Sequence, residues 1–242
     1  ADRGITSIGG GCQGMLIDYN QFNSAEGGLT TQNRSSVAIN TNANDVKIRN
    51  NRASQFRHFA VVSGGNGVIA NNHFFQGDQS GIRSAGIVLC LKNTNTTVSG
   101  NYVDNCFIEW TNERDPEPDF VSGFGFSGLS VTNNVFLCSD MSEQFSFIIV
   151  KPYGQNHRVN GMNVSGNLFR SSGGTINRVD RVDTSFVGLN LAAMRNIHFT
   201  NNTYLNVSNG VENPLLLSHA QNTHAQTWVI DTANRLPFGG YT

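Results

Sequence analysis

Five of the seventeen acidic residues in this 242-residue chain fall between positions 109 and 119: Glu109, Glu113, Asp115, Glu117 and Asp119, beside Trp110, one of two tryptophans. Carboxylates gathered next to an aromatic ring suit saccharide chemistry. One protonated carboxyl can deliver a proton to a leaving glycosidic oxygen, a second can act as nucleophile or base, and an indole can stack on the apolar face of a sugar. Glu109, Glu113 and Asp115 are the catalytic candidates, with Trp110 as the ring. The same oxygens could instead collect Ca²⁺, although no metal motif supports it and no cofactor is assigned. Pro116 and Pro118 also fit a plainer reading, an acidic solvated excursion without chemistry.

A second group, Arg57 and His58, is followed by Asp78, Gln79 and Arg83. A guanidinium and an imidazole at one corner could bind an acidic sugar or supply a base. More often, such residues are a surface ion pair and a hydrogen-bonded histidine. Lys151 and Tyr153 add a cation and a ring. The binding candidates are therefore Trp110, Glu109, Glu113, Arg57, His58, Arg83, Lys151 and Tyr153. No nucleophile elbow, P-loop, dinucleotide fingerprint or HExxH motif occurs.

What positions these residues is a repeat. An apolar residue, two variable residues, an Asn, one variable residue and a second apolar residue recur seven times, first as Ile17-Asp18-Tyr19-Asn20-Gln21-Phe22. The asparagines are Asn20, Asn51, Asn72, Asn101, Asn134, Asn167 and Asn202, spaced by 31, 21, 29, 33, 33 and 35 residues, the length of one solenoid coil. The residue before each is usually Asn or Gly (Asn50, Asn71, Gly100, Asn133, Gly166, Asn201), the two types that enter the left-handed region most cheaply. Stacked turns of this kind let each amide bond the next in a ladder. The expected fold is all-β, a right-handed single-stranded parallel β-helix with asparagine-ladder turns. Apolar runs at residues 37–39, 59–62, 86–91, 145–150, 187–191, 215–217 and 228–230 are expected to supply a second strand per coil. A propeller is the competing architecture, but it would bring four strands per blade. Residues 1–242 are expected to form one β-helix domain.

Composition narrows the function. Gly at 26 and Asn at 32 are far above ordinary usage. Sixteen basic against seventeen acidic residues give a charge of −1, without the basic field that general nucleic-acid binding needs. No run approaches the roughly 20 apolar residues of a membrane span. Cys12, Cys90, Cys106 and Cys138 lack metal spacing and read as buried free thiols.

Through its V-x-G-N-x-F turns the chain resembles the pectate-lyase superfamily of right-handed β-helices. More narrowly, Asn101 to Cys106 running into Glu109-Trp110-Thr111-Asn112-Glu113, then Ile149-Val150-Lys151-Pro152-Tyr153-Gly154, Arg181-Val182-Asp183-Thr184-Ser185-Phe186 and Leu236-Pro237-Phe238-Gly239-Gly240, are similar to β-helix proteins of alphaproteobacterial gene transfer agents and related tailed phages. The resemblance implies a spike or fibre on a virion or virus-like particle, with this chain as the C-terminal part of a longer spike protein. It would pack against other particle subunits as a homotrimer and attach to cell-surface polysaccharide, with no nucleic-acid partner and no membrane insertion. The calcium-site aspartates and catalytic arginine of pectate lyases, and the aspartates of polygalacturonases, have no matching positions here. A polysaccharide lyase or glycosidase is therefore the alternative, and a purely structural shaft a third reading.

Overall fold

The computed structural model describes residues 3–77, 83–121, 125–139, 142 and 144–240. Three parallel sheets of seven strands each wrap a right-handed β-helix of seven coils. Every coil contributes one strand per sheet. In the first coil these are Arg3–Ser7, Leu16–Asp18 and Gln21–Asn23, and in the seventh Asp180–Val182, Arg195–Thr200 and Thr203–Leu205. We number the sheets one, two and three in that order. None of the helices among the described residues is long and apolar enough to cross a membrane.

The repeat accounts for two strands per coil, not one. Its first apolar residue lies in sheet two and its second in sheet three, so the Asn occupies the corner between them. Asn51, for example, gives both its backbone N–H and its side-chain amide to Oδ1 of Asn72, at 2.9 and 3.1 Å. The same pair of bonds recurs at every step from Asn20 to Asn202. From Asn51 onward each amide also donates back to a carbonyl of the preceding coil, as Asn72 does to Ile48 at 3.0 Å. Buried amides, costly when unpaired, are thereby satisfied. The residue before each Asn is left-handed in all seven coils, with φ between 55° and 67°, including the unanticipated Tyr19. Gly100 and Gly166 are required for a second reason: a Cβ there would lie 2.5 and 2.4 Å from Oδ1 of Asn71 and Asn133.

Alternation inside the strands fills the lumen. Ile17, Ile48, Ile69, Val98, Val131, Val164 and Phe199 stack along sheet two, all essentially buried. Along sheet three, Phe136 and Phe169 stack at 5.0 Å, and Phe169 stacks on Tyr204 at 5.8 Å. Residues 236–240 fold back under the last coil. There buried Asp180 pairs with Arg178 at 2.8 Å and accepts the N–H of Phe238.

Three expected strands do not form. Residues 187–191, 215–217 and 228–230 lie outside every sheet, and Leu216 and Val229 are 92% and 84% exposed. A run with β-forming composition becomes a strand only where a neighbouring coil offers backbone partners, and sheet one of coil seven takes Asp180–Val182 instead. The four cysteines are free thiols: Cys90, Cys106 and Cys138 are buried as expected, whereas Cys12, in the first coil, is only partly buried.

Candidate functional site

Period-two alternation separates two neighbours that the sequence presents together. In strand Phe107–Thr111, Ile108 and Trp110 point into the lumen and Glu109 points out. Trp110 is fully buried, packs edge-on against Phe126 at 5.3 Å and donates its indole N–H to the Leu91 carbonyl at 2.8 Å. It is a core residue, unable to stack on a sugar, which corrects its expected role.

Glu109 lies on the outer face of sheet one, in register with Val88 of the coil before, Ile149 of the coil after and Arg181 one coil further. Lys151 is two residues along from Ile149, and Asp183 two along from Arg181. Two carboxylates and two cations thus alternate across three coils of one sheet face. Burial pushes the Glu109 carboxyl above its ordinary range, with Asp183 and Glu113 pushing the same way against Lys151 and Arg181. Burial would also raise Asp183, but the hydroxyl and N–H of Ser185, then Lys151 and Arg181, hold it below its ordinary range. For Lys151, burial is outweighed by Glu109, Tyr153, Asp183 and Glu113, so its ammonium is held more firmly than usual.

An aromatic platform borders this row. Tyr153 and Phe186 stack with centroids 4.1 Å apart, Phe186 is 60% exposed, and Lys151 Nζ lies 5.9 and 5.4 Å from the two centroids. Asn112 holds Tyr153 in place: its Oδ1 accepts the Tyr153 N–H at 2.8 Å and its amide donates to the Tyr153 carbonyl at 2.9 Å. The same amide and the ring of His157 reach the Pro118 carbonyl, so the loop that carries Glu113 is fastened to the helix wall. Lys92 pairs with Asp115 at 2.6 Å, whose other oxygen caps the Glu117 N–H, which gives Asp115 a structural role in the loop.

The remaining expected residues lie elsewhere. Arg57 donates to the carbonyls of Gln32 and Arg34 at 3.4 and 3.2 Å, tying down the loop before strand Val37–Thr41. His58 is bonded to the Ala85 carbonyl at 2.6 Å, and burial above all holds its pKa down. Arg83 is buried and donates to the Gly77 and Ser139 carbonyls, which removes it from a surface binding site. Asp78 and Gln79 lie outside the described residues. Among the described residues no three His, Cys, Asp or Glu side chains gather as a metal site. Arg181, Asp183 and Phe186 were missed as site residues. Their signal was the alternation in Arg181-Val182-Asp183, which places both charges on the face that Lys151 occupies one coil earlier.

No family model matches this chain, and no curated protein or solved structure matches it either.

Proposed function

We propose that the chain is a glycan-binding β-helix of a phage-like particle, and that it attaches to cell-surface polysaccharide through the outer face of sheet one in coils five to seven. The observation that carries this reading is the stack of half-buried Tyr153 and exposed Phe186 beside Glu109, Lys151, Asp183 and Arg181. A ring with its face to solvent covers the C–H face of a pyranose, while alternating charges take its hydroxyls and ionised substituents. The sequence resemblance to spike and fibre proteins supports the placement on a particle surface. Binding to arrayed capsular and lipopolysaccharide glycans, and to host envelope fractions, tests the reading. Retention that is lost in Phe186→Ala supports it, and no binding to any envelope fraction overturns it.

Hydrolysis is the second reading, favoured by one observation: on a single face Glu109 is biased toward its protonated form and Asp183 toward its ionised form. Carboxyls driven apart in this way can divide the acid and base roles. Glu109 would give its proton to the glycosidic oxygen as the bond to the anomeric carbon breaks, and Asp183 would take the proton of the attacking water. New reducing ends from host capsule, absent in Asp183→Asn, support this. Neither reducing ends nor unsaturated-uronate absorbance would leave binding alone.

A further inference from the structure

Beyond the last coil the chain leaves the solenoid at Asn213 and returns at Arg235. The two ends of this excursion are tied together: Glu212 donates its N–H to the Arg235 carbonyl at 2.9 Å, and the Arg235 guanidinium pairs with the Glu212 carboxylate. Residues 214–235 contain no strand and no helix. Connections this long without secondary structure are uncommon and serve chiefly as binding loops or linkers, and a loop with its ends tied is no linker. From Pro214 to Ile230 it carries no Asp, Glu, Lys or Arg. Within it the chain curls around a cavity of about 400 Å³ lined by Gln221, Asn222, Thr223, His224, Gln226 and Trp228. The indole is 57% exposed, and the His219 ring lies against it with centroids 5.8 Å apart. His219 Nε2 is 3.5 Å from Oε1 of Gln221, whose amide donates to the Thr223 carbonyl at 3.1 Å. One rim of the cavity is thus a connected chain from the indole to the backbone.

The chemistry of the lining selects the ligand. Amides, a hydroxyl and an imidazole offer donors and acceptors together, as neighbouring sugar hydroxyls require, and an indole face covers the C–H face of a pyranose. A charged ligand would give up hydration in a cavity that has no counter-ion to offer. The same lack of cations excludes a nucleic-acid backbone. Leu216 and Val229 are more exposed still but lie outside the cavity, so apart from the indole and the Ala225 methyl its lining is polar. The volume falls within the range of small-ligand pockets, about 300–1,000 Å³.

The geometry points to a saccharide site separate from sheet one, in which this loop takes an uncharged sugar on the face of Trp228 and Gln221, Asn222 and Gln226 bond its hydroxyls. It does not rest on the charged face of sheet one, with which it shares no residue. Tryptophan fluorescence of the full chain tests it, because the only other tryptophan, Trp110, is buried in the core and gives a constant background. Soluble oligosaccharides of glucose, galactose, mannose and N-acetylglucosamine are the probes, with a glucuronate oligomer as the charged comparison. At least one neutral probe is expected to shift the emission saturably, and the glucuronate oligomer to leave it unchanged. By calorimetry Trp228→Phe, which keeps a ring, should retain most of the affinity, whereas Trp228→Ala should lower it at least about tenfold, the scale of one stacking contact. Phe186→Ala should leave the fluorescence response intact, so failure at sheet one and failure at this loop are read separately. No response to any neutral probe, an equal response to glucuronate, or unchanged affinity in Trp228→Ala overturns the inference. So does an emission shift produced only by phosphatidylcholine vesicles or only by raising the protein concentration, which would give the loop to a membrane surface or to a second copy.

Discussion

Asn134 gives its backbone N–H and its side-chain amide to the same oxygen, Oδ1 of Asn167, each at 2.9 Å. Its own Oδ1 takes the equivalent pair from Asn101, and its amide also reaches the Val98 carbonyl at 3.0 Å. Asn134→Ala therefore strands two buried donors of Asn101 and one carbonyl, which should cost about 2–5 kcal/mol at roughly 1–3 kcal/mol per lost partner after partial relaxation. Asn20→Ala, at the end of the ladder, should cost less than half as much. Urea unfolding of the two variants checks the difference, and equal losses would mean the ladder does not carry the stability.

Gly166 has φ 67°, and a Cβ built on it lies 2.4 Å from Oδ1 of Asn133. Gly166→Ala adds left-handed strain to that contact, so about 1–3 kcal/mol should be lost. Gly9, where a Cβ would meet only open space, should accept alanine within about 0.5 kcal/mol. Thermal unfolding of both distinguishes turn geometry from a general intolerance of substitution.

Trp110 and Phe186 exchange the roles their composition suggests. Trp110→Ala opens a core cavity and should cost about 3–5 kcal/mol. Phe186→Ala removes a ring that is 60% exposed, so it should leave stability nearly unchanged while weakening glycan retention roughly tenfold, the scale of one stacking contact. Denaturation midpoints and glycan-array titration, measured on both variants, read the two effects separately.

These contrasts show how far the sequence could be read. The corners were legible because Asn20 to Asn202 recur with a fixed neighbour pattern, and a corner is a local event set by a left-handed residue and an amide. Glu109 and Trp110 misled because adjacency in sequence suggests one site, whereas strand alternation sends them to opposite faces. Asp183 joins Glu109 only through the stacking of coils five, six and seven, a register that depends on loop lengths no local pattern encodes. Residues 215–217 and 228–230 failed as strands for the same reason: their composition is local and their partners would have had to come from another coil.

The opposed carboxyls of sheet one give stability a pH signature. The folded chain holds the Glu109 proton more tightly than the unfolded chain, chiefly through burial, so that contribution is complete below the ordinary glutamate range and is lost as pH rises through the raised value. Asp183 is held low against its own burial by Ser185, Lys151 and Arg181, so its contribution is present above the ordinary aspartate range and is lost as pH falls through the lowered value. Through these two groups alone the urea midpoint declines on a neutral limb, as pH rises past the raised Glu109 value, and on an acid limb, as pH falls past the lowered Asp183 value. His58 and His73, whose pKa values are held down chiefly by burial, act against the neutral limb, so the variants are read as differences from the native chain. Glu109→Gln should flatten the limb toward neutral pH and leave the acid limb, because an amide mimics the protonated carboxyl. Asp183→Asn should flatten the acid limb and leave the other. If Glu109→Gln instead steepens the neutral limb, the attraction of Lys151 outweighs burial at that carboxylate, and Glu109 would be an ordinary ion-pair partner without the proton needed for acid chemistry.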